Sequence, residues 1–371
     1  MFESLKIQEF RGIKSLEIKD FKRFNVFVGK NNACKTTVLE SMFLLTGISN
    51  MSLSMNINVF RNYNILDETF WRLIFYKMDT TNDVQLSAAL NQPNEFRKLL
   101  IKPLIENLAF DESARESLES DDKLRRKTLA FDMSVPPTGH SGVEIKVNGL
   151  ISEFFISHKK SENPLRYVSE VRMKGDKPEY SMPKNYKEHI EGSFLCSSNI
   201  NLDIARRFHK LVLEKKTGKI VKVLKQIEPN LRELSLGIDQ RIYCDVGFDR
   251  LIPLSAMGDG MFRLMAIVLA ILDSQNGVLL IDEVENGFHY SSQELLWKTI
   301  YEAATEYNVQ IFVATHSLEC VKAFSSVYNP QLFDGDNLRL FRLNRADEDI
   351  KVISYNYKEI ASAIESGWEM R

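Results

Sequence analysis

The chain has 371 residues, of which 44% are hydrophobic and 26% are charged. This composition predicts a folded protein with a large core, long enough for one α/β domain with an insertion or for two domains. The net charge of −2 gives no overall signal for nucleic acid, so a surface for DNA has to be a local patch. The four cysteines lack metal-site or disulfide-framework spacing. Without a signal peptide or a long apolar run, we expect a cytoplasmic protein with no membrane contact.

Three short strands are predicted at the start of the chain. Residues 2–10 alternate between apolar and polar side chains, and residues 15–21 and 24–28 have similar strand patterns. Strands this short and close in sequence favour antiparallel pairing. We therefore expect a small antiparallel sheet beside a main sheet.

Residues 25–41, NVFVGKNNACKTTVLES, have the order of strand, loop and helix that a phosphate-binding loop requires. Backbone N–H groups and the helix N-terminus would hold a triphosphate. Lys35 would reach the β- and γ-phosphates, and the Thr36 hydroxyl would ligate Mg²⁺. An ordinary polar turn before a helix is the alternative. The residues expected to bind ATP here are Gly29, Lys30, Asn31, Asn32, Ala33, Cys34, Lys35, Thr36 and Thr37.

Cys34 occupies the position of the second glycine in the pattern G-x-x-x-x-G-K-[ST]. Glycine suits a site where the backbone approaches phosphate closely or adopts an unusual φ. We expect a cysteine to fit if φ is negative at this position, and to slow turnover. The further alternative is that Cys34 makes the loop poor in hydrolysis, so that ATP acts structurally.

Residues 48–195 are predicted to form an inserted α+β region that returns to the core near Phe194-Leu195. The expected elements are helices at 64–77 and 94–109, strands at 84–90 and 166–173, and a hairpin at 143–156. The hairpin would turn at Asn148-Gly149, a pair that is typical of tight turns. The charged stretch 111–130 is expected to be a solvated helix or a mobile loop.

Residues 202–228 are predicted to form one or two helices rich in Lys and Arg. A solvated amphipathic face explains this composition, and contact with nucleic acid is the open alternative. The charges are not interleaved with aromatic residues in the way that base stacking favours.

Residues 254–272 combine a loop containing serine and glycine with a strongly apolar helix. Ser255 or Asp259 could simply cap the helix. The functional alternative is a second helix N-terminus that contacts phosphate, with Ser255, Gly258 and Gly260 in the loop.

Asp282 and Glu283 follow the apolar run 278–281, which is typical of a buried parallel strand. The C-terminal ends of such strands present ligand-binding groups. Asp282 can hold Mg²⁺, and Glu283 can polarise an attacking water. Residues 309–317 form another buried strand, which ends in Thr-His-Ser. We expect His316 to lie one strand away on the same edge, where it could sense a γ-phosphate.

These blocks, in this order, resemble the ABC-type ATPase head of the SMC, RecF and OLD-like group, and residues 279–291 resemble stand-alone bacterial AAA-type ATPases. The resemblance implies an α/β P-loop fold with a mixed, mainly parallel sheet flanked by helices. It assigns Walker A to Gly29, Lys35 and Thr36, and Walker B with the catalytic glutamate to Asp282 and Glu283. It also implies that His316 is the switch histidine and that residues 285–288 form the D-loop. Ser255 with Gly258 or Gly260 corresponds to the signature loop, and Gln85 is the provisional Q-loop residue.

The resemblance also implies ATP and Mg²⁺ as cofactors and a homodimer or higher homo-oligomer that sandwiches ATP. It predicts core segments at 1–47 and 196–371 around the insertion 48–195, with no TOPRIM nuclease domain in this chain. The implied role is a sensor or regulator with a separate effector, a TOPRIM nuclease or a toxin-like protein, in anti-phage defence. The alternative is a RecF-like or SMC-like repair ATPase that binds duplex DNA directly.

Overall fold

The computed structural model describes residues 1–91, 94–109, 143–158, 163–175, 177–201, 203–331 and 335–367, so the charged stretch 111–130 lies outside the described residues. The strands are β1 (Phe2–Phe10), β2 (Ile13–Lys19), β3 (Phe24–Val28), β4 (Val84–Asn91), β5 (Asn94–Ala109), β6 (Val143–Ser157), β7 (Leu165–Lys174), β8 (Lys177–Ser181), β9 (Gly192–Leu195), β10 (Glu233–Leu236), β11 (Ile242–Asp245), β12 (Ile252–Pro253), β13 (Val278–Asp282), β14 (Gln310–Ala314), β15 (Leu338–Ala346) and β16 (Asp349–Tyr355). The helices are α1 (Lys35–Thr46), α2 (Ser52–Val59), α3 (Glu68–Arg72), α4 (Ile204–Leu213), α5 (Thr217–Leu224), α6 (Asp259–Asp273), α7 (Gln293–Glu306), α8 (Leu318–Ser326) and α9 (Tyr357–Glu365).

The central sheet has the strand order β16-β15-β3-β14-β13-β9. All neighbours in it are parallel except β15 and β16, which confirms the predicted mixed, mainly parallel sheet. Its inner strands are almost continuously apolar because both faces are covered. Strand β9, which contains Phe194 and Leu195, joins this sheet beside β13.

Two hydrophobic cores lie on opposite faces of the central sheet. Phe27, Phe312 and Phe341 belong to the core that includes α1 and the antiparallel sheet. Val26 and Val28, which alternate with Phe27 along β3, belong to the core that includes α6 and α7. The phosphate loop therefore connects a strand that is buried on both sides to a helix that is buried along most of its length.

The antiparallel sheet is much larger than the sequence predicts, with the strand order β2-β1-β4-β5-β6-β7-β8. The helix predicted at 94–109 is wrong, because this segment is strand β5. It pairs along its length with β4 and β6, and these ladders together with the burial of Leu99 and Ile101 outweigh its helix-like apolar spacing. The predicted strands at 84–90 and 166–173 are confirmed as β4 and β7.

The hairpin predicted at 143–156 is also wrong, because Asn148 and Gly149 lie inside the continuous strand β6. A Cβ atom at Gly149 would lie 2.2 Å from the carbonyl oxygen of Val171 on the neighbouring strand. The glycine therefore permits a close approach of two strands and does not form a turn. This role cannot be distinguished from a hairpin signal until the pairing partner is known.

Of the helix predicted at 64–77, only the five residues of α3 are α-helical. Asp67 caps this helix by accepting a hydrogen bond from the Phe70 N–H at 2.8 Å. Beyond α3, Phe75 forms a bridge with Phe10, and that pairing requires extended backbone. Strands β4 to β8 thus extend the sheet begun by β1 and β2, and the division into core and insertion stays a prediction. Among the described residues, no helix has the length and hydropathy of a membrane span.

Candidate functional site

The phosphate loop runs from the end of β3 to the start of α1. Gly29 has φ +149°, and a Cβ atom there would lie 2.5 Å from the Leu343 carbonyl oxygen, so glycine is required. Lys35 Nζ donates to the carbonyl oxygens of Gly29 at 2.8 Å and Lys30 at 3.2 Å. Partial burial lowers the pKa of Lys35, against the opposing effect of nearby carboxylates, of which Asp282 is the strongest. The loop therefore holds its lysine folded over its own backbone.

Cys34 does not have the negative φ at which a cysteine is expected to fit this loop. Its φ of 65° is positive, in the left-handed region that the pattern's glycine would occupy freely. For a residue with a Cβ atom this conformation costs about 1–2 kcal/mol. The thiol lies 3.7 Å from the Gly12 carbonyl oxygen and 3.5 Å from Arg345 Nη1, and burial raises its pKa. Cys34 is thus a strained, neutral residue in contact with the β1–β2 turn.

Thr36 and Asp282 meet across the junction between α1 and β13. The Thr36 hydroxyl donates to Asp282 Oδ2 at 2.8 Å. Burial raises the pKa of Asp282 to about 6, although this hydrogen bond acts in the opposite direction. Hydroxyl and carboxylate oxygens suit Mg²⁺, which proteins commonly bind through one or two carboxylates together with substrate phosphates. No group of three His, Cys, Asp or Glu side chains forms a metal site in the described part of the chain.

Glu283 is fixed at the end of β13 by several contacts. Its carboxylate accepts from Asn286 Nδ2 at 2.7 Å and from the Ser197 hydroxyl at 3.5 Å. Its backbone N–H donates to the Ala314 carbonyl at 2.9 Å, and Arg263 Nη2 donates to its carbonyl oxygen at 2.6 Å. The carboxylate is therefore oriented by its neighbours and faces the same cavity as Lys35.

His316 follows β14, which is the direct neighbour of β13 as predicted. Its ring Nδ1 lies 3.4 Å from Glu285 Oε1, and its backbone N–H donates to the same oxygen at 3.2 Å. The side chain is 53% exposed, whereas that of Glu285 is 8% exposed. Glu285 is thus a buried acid that orients a histidine at the cavity rim.

One cavity of about 530 Å³ unites most of the predicted site. The predicted residues that line it are Asn31, Asn32, Ala33, Cys34, Lys35, Thr36, Thr37, Asp282, Glu283 and His316. Gln85, by contrast, lies within β4 opposite Gln8 and Leu100, away from this lining. The structure thus brings together residues that are far apart in sequence. Thr36 and Asp282, for example, are separated by 246 positions.

Two arginines at the cavity were missed by the sequence analysis. Glu40, on α1, is fully buried, and its carboxylate contacts Arg61 Nε at 2.7 Å and Arg11 Nε at 3.0 Å. Both arginines line the cavity, and burial lowers the pKa of Arg11 to about 10. The sequence contained one signal for them, which was the glutamate on an otherwise apolar helix. A buried carboxylate needs a cationic partner, so Glu40 indicates that a lysine or arginine packs against α1.

The predicted signature loop, Ser255–Gly260, lies away from the cavity lining. The N-cap of α6 is Gly258, with φ +97°, so the interpretation of Ser255 or Asp259 as the cap is wrong. Ser255 and Gly258 are exposed, whereas a Cβ atom at Gly260 would lie 3.1 Å from the Gly287 carbonyl oxygen. The signature loop therefore packs on residues 285–288 and presents its first part to solvent.

The basic helices α4 and α5 carry much of their charge in ion pairs. Arg206, Arg207 and Lys210 all lie within 4 Å of the Asp273 carboxylate. Lys219 pairs with Glu306 at 2.6 Å. Three cations share the one Asp273 carboxylate, so this face keeps a net positive charge. Both interpretations of the basic helices stay predictions.

The fold and the cavity define a P-loop ATPase. Residues 24–321 match the family described as "AAA domain, putative AbiEii toxin, Type IV TA system", and the chain belongs to this family of AAA-type ATPases. An ATP/GTP phosphatase of Helicobacter pylori is 23% identical over 368 residues, which cover 94% of both chains. The endonuclease GajA of Bacillus cereus is 24% identical over 90% of this chain and 60% of that protein.

Shorter and purely structural similarities accompany these relatives. The replication and repair protein RecF of a Geobacter strain is 38% identical over 52 residues, 14% of each chain. A solved Smc head bound to the C-winged helix domain of ScpA superposes with a TM-score of 0.49 at 12% identity, covering 97% of this chain and 99% of that one. The family match and these relatives confirm the resemblance to the SMC, RecF and OLD-like ATPases.

Proposed function

We propose that the protein binds and hydrolyses ATP, with Mg²⁺, in the cavity between the phosphate loop and the ends of β13 and β14. The observation that carries the proposal is the hydrogen bond from Thr36 to Asp282, with Lys35 and Glu283 facing the same cavity. These are the groups that phosphoryl transfer to water requires, namely cationic, metal-binding and water-orienting side chains. The products are ADP and phosphate.

Each proposed role follows from the chemistry of the side chain. Lys35 would leave its loop carbonyls for the β- and γ-phosphates, and Thr36 with Asp282 would hold Mg²⁺. The metal would supply charge neutralisation on the phosphate oxygens. Glu283 would orient the attacking water through its free carboxylate face, and His316 would contact the γ-phosphate from the rim.

The exposed start of the signature loop supports a homodimer. Ser255 and Gly258 are solvent-accessible at a helix N-terminus, away from the cavity of their own chain. In a two-fold arrangement the same residues of each copy would complete the cavity of the other. We propose that ATP binding drives this association and that hydrolysis reverses it.

We further propose that this cycle regulates a separate effector protein. The family description includes a toxin, and one relative is the nuclease GajA. An effector of TOPRIM-nuclease or toxin type, acting in cytoplasmic anti-phage defence, is consistent with these relatives.

Substitution of Lys35 tests the binding site. Because Lys35 would make charge-assisted hydrogen bonds to phosphate, Lys35→Ala is expected to weaken ATP binding by about 10- to 150-fold. Titration calorimetry with Mg-ATP measures the change. Lys30→Ala is the matched control, since this lysine is exposed at the same loop and is expected to contribute through its backbone. Equal ATP affinity of Lys35→Ala and the wild type would contradict the site.

Substitution of Cys34 tests whether this residue limits turnover. Glycine at position 34 removes the strain of the positive φ, so Cys34→Gly is expected to raise both stability, by about 1 kcal/mol, and the hydrolysis rate. Thermal melting and steady-state phosphate release measure the two effects. Cys244→Ala, at a buried site outside the cavity, controls for the loss of a thiol. A slower Cys34→Gly variant would show that the thiol itself supports hydrolysis.

A further inference from the structure

We infer that the turn formed by Lys77 and Met78, together with Arg11-Gly12, is the nucleoside-binding end of the cavity. In this arrangement the Met78 side chain is the surface on which the base lies. The inference rests on the proposed ATP site and adds to it the recognition of the base. Its consequence is that the site accepts ATP and GTP with similar affinity.

The cavity has two chemically different ends. Lys35, Asp282 and His316 mark the end that suits the γ-phosphate. The lining also contains the apolar side chains of Leu73, Phe75 and Met78, which we assign to the other end. A triphosphate held by the phosphate loop leaves its nucleoside to occupy this second end, and ligand sites commonly pair an apolar wall with a few polar groups.

The apolar wall is built from two segments joined by hydrogen bonds. The Arg11 N–H donates to the Ile74 carbonyl at 3.0 Å, and the Lys77 N–H donates to the Arg11 carbonyl at 3.3 Å. Phe10 and Phe75 add a β-bridge beside them. Gly12 in turn contacts the phosphate loop, because a Cβ atom there would lie 3.2 Å from Cys34 Sγ. The wall is therefore held in a fixed position relative to the phosphate loop.

The backbone of this wall is strained, as it is at Cys34 in the phosphate loop. Lys77 and Met78 have φ values of 52° and 62°, so two consecutive residues with side chains adopt the left-handed conformation. Such conformations persist where the surroundings impose them, and they cluster at ligand clamps and active sites. The Met78 side chain is 40% exposed and lines the cavity. A polarisable thioether in this position is well suited to contact an aromatic ring.

Several hydrogen-bonding groups of this wall already have partners. The Met78 N–H donates to the Phe75 carbonyl at 3.1 Å, and both backbone groups of Arg11 are used within the wall. Lys77 Nζ is paired with Glu348 on the β15–β16 turn. A base would thus meet an apolar surface, and such a surface discriminates weakly between purines that differ in their hydrogen-bonding edges.

The test is a set of equilibrium affinities for ATP, GTP and inorganic tripolyphosphate with the full chain and Mg²⁺. For the wild type, ATP and GTP are expected to bind within about fivefold of each other. Met78→Ala is expected to weaken both nucleotides by about three- to tenfold and to leave tripolyphosphate unchanged. Met182→Ala, an exposed methionine outside the cavity lining, is the matched control and is expected to change none of the three.

Three results would overturn the inference. The first is equal weakening of tripolyphosphate and ATP in Met78→Ala, and the second is unchanged nucleotide affinity in that variant. The third is a wild-type preference between ATP and GTP of a hundredfold or more, which requires hydrogen-bond readout. These outcomes differ from failure of the proposed function, in which the wild type binds neither ATP nor tripolyphosphate and both proposals fall. Met78 is exposed, and a thermal melt of the variant confirms that it folds.

Discussion

Replacing Glu283 by glutamine is expected to lower the rate of ATP hydrolysis by about 10²- to 10⁴-fold while ATP affinity stays near the wild-type value. Glutamine keeps the shape of the side chain and can still contact Asn286 and Ser197, which hold the carboxylate at 2.7 and 3.5 Å. It removes the anionic oxygen that would orient and polarise water. The loss therefore falls on the chemical step, and phosphate release under saturating ATP measures it.

The same variant tests the proposed dimer. If hydrolysis resets the assembly, Glu283→Gln with Mg-ATP is expected to remain dimeric in light scattering, whereas the wild type returns to its starting state. Glu285→Gln is the comparison, because this carboxylate contacts His316 and acts at the rim. We expect a smaller rate loss from it. Normal hydrolysis by Glu283→Gln would refute the role assigned to Glu283, whatever its oligomeric state.

The chemistry at the ends of buried strands could be predicted from the sequence because it depends on local signals. An apolar run followed by two acids indicates the end of β13, and a glycine-containing loop before a mostly apolar segment indicates the start of α1. Parallel strands align their carboxyl ends at one edge of a sheet, so the sequence alone predicts that Asp282 and His316 lie near each other. Their roles in catalysis stay predictions.

The arginines around Glu40 could not be predicted in the same way. Arg11 lies 29 positions before Glu40 and Arg61 lies 21 positions after it, and neither has a distinctive local pattern. Their convergence depends on how the β1–β2 turn and the end of α2 fold around α1. A similar limit applies to Cys34, because the sign of its φ follows from the path of the loop and not from the identity of the residue.

The antiparallel sheet shows why local patterns failed for residues 94–109 and 143–156. Each of these segments gains its pairing partner from a distant part of the chain, as β5 does from β4 and β6. Ladder hydrogen bonds and cross-strand packing then outweigh turn propensity at 143–156 and helix propensity at 94–109, where Pro103 already disfavours a helix by about 3 kcal/mol.

Replacing Arg97 by methionine is expected to lower the free energy of unfolding by about 3–5 kcal/mol. Arg97, on β5, is fully buried and pairs with the fully buried Glu95 and with Glu188 at 2.8 Å. Its Nη1 also donates at 2.8 Å to the Leu45 carbonyl in the last turn of α1, one of the groups that a helix end leaves without a partner. Methionine keeps the length of the side chain but leaves the Glu95 carboxylate without its buried partner. Denaturant unfolding monitored by circular dichroism gives the change.

Two controls separate this buried network from ordinary ion pairs. Lys102→Met, on the same strand, breaks a half-exposed pair with Glu153 at 2.9 Å and is expected to cost less than about 1 kcal/mol. The double variant Arg97→Met with Glu95→Gln also removes the negative charge of the buried Glu95 carboxylate. We therefore expect it to regain part of the stability that Arg97→Met loses. An Arg97→Met variant no less stable than Lys102→Met would contradict the role of Arg97. Because Arg97 ties the antiparallel sheet to the helix that carries the phosphate loop, its loss is expected to weaken ATP binding as well, even though it lies outside the cavity lining.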